Sequence, residues 1–383
     1  MTFEFNMPSK VVVGKDAFST LEAHIKKQGK HAFIVTGKHV TKSGLVQRIT
    51  DELSLWGVGY TVFNDITGEP TDQMIQEGIA AFEASGSDFC IALGGGSPLD
   101  SAKAIVSMSV LKGDIAAYAG KEIEGEFPPL IAIPTTAGTG SEATKFTIIT
   151  DTQRNIKMLL KGNALLPQTA VLDYSLTISA PKAITAATGM DALTHAVESY
   201  TSKKANPMTD LYALSAVRRI FEYLPRAYKD GADETAREEM LTAAFEAGVC
   251  INNASVTLVH GMSRPIGALF HVPHGISNAM LISKCLGFAL DGAYERFAQL
   301  AYAIEAADTS VPEQEAAGSF LAALDRLCAV CEIPTLAEYG IAADEFMGNI
   351  SKMAQDALDS GSPGNTRKEV HKEDIVELYQ SLW

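Results

Sequence analysis

The sequence predicts an α/β N-terminal half built on a parallel sheet, followed by an all-helical C-terminal half. Three observations carry this. Short β-branched runs alternate with amphipathic stretches through the first third of the chain, helix-forming residues dominate after Pro181, and 383 residues exceed what one ordinary core requires. Alternation of this kind implies parallel strands with helices on both faces, and ligands in that architecture sit where strand C-termini meet helix N-termini.

Taken in order, Lys10–Val13 reads as a strand, Ala17–Gln28 as a helix, Ala32–Thr36 as a strand and Leu45–Trp56 as a helix. Tyr60–Phe63 then reads as a strand, Met74–Phe82 as a helix and Phe89–Leu93 as a strand. Leu130–Ile133, Phe146–Ile149 and Ala170–Leu172 are further β-like runs. Beyond Pro181, Thr209–Tyr223, Glu234–Gly248 and Ala316–Cys331 carry apolar residues at three- and four-residue spacing and read as helices. The boundary is expected near residue 180, giving domains 1–180 and 181–383. No repeat, low-complexity tract or long Gly/Ser linker separates them.

Composition narrows the function. A hydrophobic fraction of 46% with 20% charged residues is ordinary for a soluble globular protein, and no apolar run reaches the ~18 residues of a membrane span. The formal charge of −15 disfavours nucleic acid and anionic membranes as partners. Residues Met1–Lys10 show no secretory pattern, so a cytoplasmic location is expected. The five cysteines are odd in number and widely spread, which predicts reduced thiols; Cys328 and Cys331 lack a second pair and read as part of a core helix.

Two loops look suited to a nucleotide. Gly94-Gly95-Gly96-Ser97-Pro98 follows a strand and opens a helix, so backbone N–H groups and a positive dipole end face an approaching phosphate. It matches neither Gly-x-Gly-x-x-Gly nor a Walker loop, and a triple glycine also serves as a plain tight connection. Pro134-Thr135-Thr136-Ala137-Gly138-Thr139-Gly140 ends another apolar run with small donors. A shared nucleotide accounts for both loops.

A second constellation suits a metal. Asp191 and His195 stand four apart, one turn on a shared helix face, while His260 and His274 bracket a link rich in Gly and Pro. One carboxylate with three imidazoles suits Fe(II) or Zn(II), and the residues leave that choice open.

At these motifs the chain resembles the iron-containing (group III) alcohol dehydrogenase family: Gly94 to Lys103, Pro134 to Glu142, Gly189 to His195, His260-Gly-Met and Pro273-His-Gly275, in family order and spanning nearly the whole sequence. The resemblance implies the dehydroquinate synthase-like fold, with a Rossmann-like N-terminal domain, a helical C-terminal domain and a cleft holding NAD or NADP and one divalent metal. It implies Asp191, His195, His260 and His274 as metal ligands. Gly95, Gly96, Ser97, Thr135, Thr136, Thr139 and Lys157 are implied to contact the cofactor, with Asp100 near its nicotinamide end as both a cofactor contact and a catalytic residue. The implied reaction is hydride transfer between nicotinamide and a small primary alcohol, diol or semialdehyde, in a homodimer or larger homo-oligomer. Two other readings stand beside it: a dehydroquinate synthase-like lyase with catalytic NAD, and a non-catalytic nucleotide-binding protein.

Two positions depart from the family pattern. Gly37, followed by Lys38 and His39, replaces the aspartate that often pairs with the adenosine ribose, which predicts acceptance of NADP(H). Arg264 replaces a histidine found in many members four residues after the third ligand. The expectation is that His271 takes over as proton relay and that Arg264 turns the site toward anionic aldehydes, a structural ion pair being the other reading of Arg264.

Overall fold

The protein is described here from a computed structural model covering residues 2–154 and 156–383. These fall into two compact units, Asn6–Ala180 and Pro181–Trp383, the latter joined by the short segment before Asn6. That segment departs from the expected boundary because Phe5 stacks on Tyr212 of the helical unit, with ring centroids 6.0 Å apart and 15° between planes.

The first unit contains β1 (Lys10–Val13), β2 (His31–Gly37), β3 (Gly59–Ile66), β4 (Phe89–Gly94), β5 (Leu130–Pro134), β6 (Phe146–Asp151), β7 (Ile156–Lys161) and β8 (Thr169–Leu172). Its helices are α1 (Glu22–Gln28), α2 (Lys38–Lys42), α3 (Leu45–Leu55), α4 (Asp72–Ser85) and α5 (Gly96–Leu111). Six strands form one parallel sheet in the order β1-β8-β5-β4-β2-β3. Strands β2 and β4 are apolar on both faces because helices cover both. Phe33, Val35, Cys90 and Ala92 pack with Phe82 and Ile105 on one side. Ala32, Ile34, Phe89, Ile91 and Leu93 pack with Ile25, Ile49 and Leu53 on the other. The chain order reverses between β2 and β4, and at such a switch point strand C-termini open a crevice.

Two local outcomes differ from the sequence expectation. The stretch read as one helix over Ala17–Gln28 begins as a 3₁₀ turn, Ala17–Leu21, because Asp16 adopts a left-handed conformation and supplies no side-chain cap. A strand absent from the expectation, β7, pairs antiparallel with β6 as a separate two-stranded sheet.

The second unit is helical: α6 (Lys182–Thr201), α7 (Pro207–Lys229), α8 (Glu234–Ala254), α9 (Leu258–Phe270), α10 (His274–Ala289), α11 (Tyr294–Ala303), α12 (Glu313–Val330), α13 (Leu336–Tyr339), α14 (Ala343–Asp359) and α15 (Lys372–Gln380). Asn206 and Thr209 form a reciprocal capping box with Pro207 in the first turn, which starts α7 sharply. Helix α6 is buried almost all round, so its polar residues must find partners inside the unit. All five cysteines are free. Among the described residues no helix is long and apolar enough to cross a membrane.

Candidate metal centre and nucleotide loops

Asp191, His195 and Glu198 project from one side of α6, as spacings of four and three residues require. His260 comes from the first turn of α9, and His274 is the first residue of α10. The ligand atoms of Asp191, His195, His260 and His274 all lie within 4.8 Å of one another. The Nε2 atoms of His195, His260 and His274 stand 3.8, 3.9 and 3.8 Å from Asp191 Oδ1. Those gaps are too long for hydrogen bonds, yet they suit donors that share one ion through bonds of ~2.1 Å. The rings of His195 and His260 stack at 4.8 Å, so neither turns freely.

Two neighbours that sequence reasoning missed orient this set. Glu198 is fully buried and accepts from Thr257 Oγ1 and Val259 N, both at 2.7 Å, through Oε1. Its Oε2 lies 2.5 Å from His260 Nδ1, so that nitrogen donates and the Nε2 lone pair turns toward Asp191. Asn278, one turn after His274, donates to Asp191 Oδ1 at 2.7 Å and lies 3.1 and 3.2 Å from Nε2 of His260 and His274. The amide thus presents its positive end where three lone-pair atoms converge, while its own Oδ1 is buried without a partner. The only signal for either residue was its spacing on the helix: Glu198 at three from His195, Asn278 at four from His274.

Electrostatics agree with a cation site. Burial alone raises the Asp191 carboxyl, but three imidazoles and Asn278 outweigh it and hold it below its ordinary value. Burial, helped by the other two imidazoles, pushes His260 well down, so it stands neutral with a lone pair to offer. Three neutral imidazole nitrogens and one carboxylate fit a borderline divalent ion rather than Mg(II) or Ca(II).

The nucleotide loops sit at the C-terminal ends of adjacent strands. Gly95 caps α5, and a Cβ there would lie 3.3 Å from Thr136 Oγ1; one at Gly96 would lie 2.9 Å from Thr139 Cγ2. The two loops therefore abut, and a side chain at Gly96 would force Thr139 to shift. Thr135 N donates to Gly94 O at 2.9 Å and pins the second loop to the first, with Ser97 in the opening turn of α5. Gly37 ends β2, where any Cβ would meet Ile66 O at 2.9 Å. Lys38 beside it forms an exposed ion pair with Asp65 at 3.5 Å, and Lys157 on β7 pairs with Glu69 at 2.9 Å.

Asp100 is held at both carboxylate oxygens. Its Oδ1 accepts from Ser141 Oγ at 2.5 Å and its Oδ2 from Ile148 N at 3.0 Å, while its carbonyl accepts from Thr147 Oγ1. Through these bonds the residue braces α5 against residues 141–148. Lys103, also missed from sequence, is buried and spends its three N–H donors on Ser141 Oγ, Thr144 Oγ1 and Phe146 O. Burial lowers Lys103 to about 8 and raises its neighbour Glu142 to about 7. His271 caps α9 in a left-handed conformation with its side chain exposed, outside the Asp191 cluster.

Comparison with known proteins finds matches along nearly the whole chain. Residues 8–174 match the family model "Iron-containing alcohol dehydrogenase", and residues 185–383 match "Fe-containing alcohol dehydrogenase family, C-terminal". The chain is 34% identical to a 1,3-propanediol dehydrogenase of Klebsiella pneumoniae, covering 100% of this chain and 99% of that one. It is 33% identical to an NAD-dependent methanol dehydrogenase of Bacillus methanolicus, covering 98% and 99%. The crystal structure of a 1,3-propanediol oxidoreductase superposes with a TM-score of 0.96 at 34% identity, over 100% of both chains.

Proposed function

Because the chain belongs to the iron-containing alcohol dehydrogenase family and is an NAD-linked oxidoreductase of small alcohols and aldehydes, we propose that its catalytic metal is held by Asp191, His195, His260 and His274. The convergence of those four donors within 4.8 Å carries this reading. When bound, the ion supplies Lewis acidity toward a substrate oxygen, and the nicotinamide donates or accepts the hydride.

The chain's own residues do the rest. Asp191 contributes the one anionic ligand, and Glu198 holds His260 in the tautomer that presents Nε2. The abutting loops at Gly95–Ser97 and Thr135–Thr139 offer backbone N–H groups and small hydroxyls to the cofactor phosphates, and Lys157 a cation. Asp100 and Lys103 fix the first of these loops from behind through Ser141. His271 is assigned the proton relay to solvent, which its exposed position allows.

Cofactor choice rests on Gly37 and Lys38. With no carboxylate at Gly37, a 2′-phosphate is tolerated, and both NADH and NADPH are used. Asp65 partly neutralises Lys38 and limits the preference. The protein acts as a cytoplasmic homodimer or larger homo-oligomer, in line with its family.

The test is consumption of NADH and NADPH, followed by absorbance, with a panel of short aldehydes and protein stripped of metal and reloaded with Fe(II) or Zn(II). Metal-dependent oxidation is expected, and His195→Ala should lose both metal and turnover. Turnover that persists at full rate in the stripped protein refutes the assignment. A flat pH profile difference between wild type and His271→Ala removes the relay, and a monomer by light scattering removes the oligomer.

A further inference from the structure

Arg264 lies four residues after His260, on the same side of α9. The loop that holds it is well fixed. A Cβ at Gly261 would lie 2.7 Å from Pro363, so residues 362–363 press directly on α9. Ser362 Oγ, buried there, accepts one hydrogen bond from Arg264 Nη1 at 3.0 Å.

That bond uses one of five guanidinium donors. Among the described residues no carboxylate lies within ion-pairing distance of Arg264, and no other hydrogen bond engages it. The obvious counter-ion, Glu198, is taken: Oε1 serves Thr257 and Val259, and Oε2 serves His260. A structural ion pair, the alternative reading of this residue, is therefore not formed. Arg264 is half-buried, and Glu198 supports its charge from a distance without sharing an oxygen with it, so the remaining N–H donors are left to an arriving anion.

Resting on the dehydrogenase reading above, we propose that Arg264 is a specificity residue that selects small aldehydes and alcohols carrying a terminal anionic group, a carboxylate or sulfonate. The free edge of the guanidinium receives that group in paired N–H···O bonds, a geometry lysine cannot reproduce. Hydride transfer itself is unchanged: the aldehyde carbon gains hydride from the nicotinamide and the oxygen gains a proton.

The experiment compares chain-matched pairs on the metal-loaded enzyme: 4-oxobutanoate against butanal, and 2-oxoethanesulfonate against propanal. For wild type, kcat/KM should favour at least one anionic member by about tenfold or more. In Arg264→Ala and Arg264→Lys that ratio should fall by about tenfold or more, whatever the absolute rates. Ethanesulfonate or propanoate should inhibit butanal reduction competitively in wild type, with an inhibition constant that rises about tenfold in Arg264→Ala. Because the ratio and the inhibition are also read on wild type, a variant that fails to fold leaves the test intact. Equal efficiency on both members of each pair, with no competitive inhibition, overturns the inference while the dehydrogenase reading stands. No oxidation of either cofactor by any aldehyde overturns that reading and this inference with it.

Discussion

Glu198 does its work by being an acceptor at both oxygens. Three donors converge on it, from Thr257 Oγ1, Val259 N and His260 Nδ1. Glu198→Gln keeps the shape but turns one acceptor into a donor. Either Val259 and Thr257 lose their acceptor, or His260 gives up its Nδ1 proton and presents Nε2–H toward Asp191. Both outcomes weaken the metal site, and an effect of ~10- to 100-fold on metal affinity is expected. Equilibrium competition with a chromogenic chelator measures it without any turnover; an unchanged affinity would show that the carboxylate only fills space. At the same scale, Lys38→Ala should lower the NADPH-to-NADH ratio of kcat/KM by no more than about fivefold, because the Lys38–Asp65 pair is more than half exposed. Equal ratios in wild type and variant would place Lys38 away from the 2′-phosphate. The four metal ligands were legible because histidine and aspartate are distinctive and their helical spacing is short. Glu198 and Asn278 were not, because a glutamate or asparagine within a helix ordinarily faces solvent, and only the packing of α6 against α9 and α10 turns them inward.

At the scale of elements, α5 and the segment after β5 behave as one braced piece. Lys103 joins Ser141, Thr144 and Phe146, and Asp100 joins Ser141 and Ile148. Glu142 lies inside the same brace with Oε1 unpaired. Its folded-state value near 7, against 4.5 ordinarily, means the folded form binds more protons between those values. Stability therefore falls as pH rises through that window, by at most ~3 kcal/mol. Lys103 has the opposite effect higher up: lowered to about 8 from 10.5, it makes stability rise with pH between those values. Glu142→Gln should flatten the lower arm, as read by urea unfolding at a series of pH values, while parallel curves for the two proteins would mean that Glu142 is not the group responsible. The sheet's strands were legible because β2 and β4 are continuous apolar runs. The β6–β7 hairpin was less so: β7 mixes exposed Ile156 and Leu159 with buried Met158 and Leu160, which breaks clean alternation. The brace itself joins residues some 40 positions apart, and spacing along the chain gives no hint of it.

For the whole molecule the governing quantity is the net charge of −15, which sets two electrostatic effects against each other for an anionic ligand. The distributed negative field repels NADH and any carboxylated aldehyde during approach, over distances comparable to or longer than the Debye length of ~8 Å at physiological salt. Arg264, by contrast, acts at contact range from a half-buried position, where added salt screens it less. Raising ionic strength from ~10 to ~150 mM shortens the Debye length from ~30 to ~8 Å and removes mainly the repulsion. The expected outcome is a kcat/KM for 4-oxobutanoate that rises with salt, while that for butanal at saturating cofactor stays flat. Stopped-flow measurement of NADH binding to the metal-loaded protein should show the same rise in association rate. A fall in either quantity with salt would mean that local cations outweigh the global field during approach, and that recognition of the anion begins well before contact with Arg264.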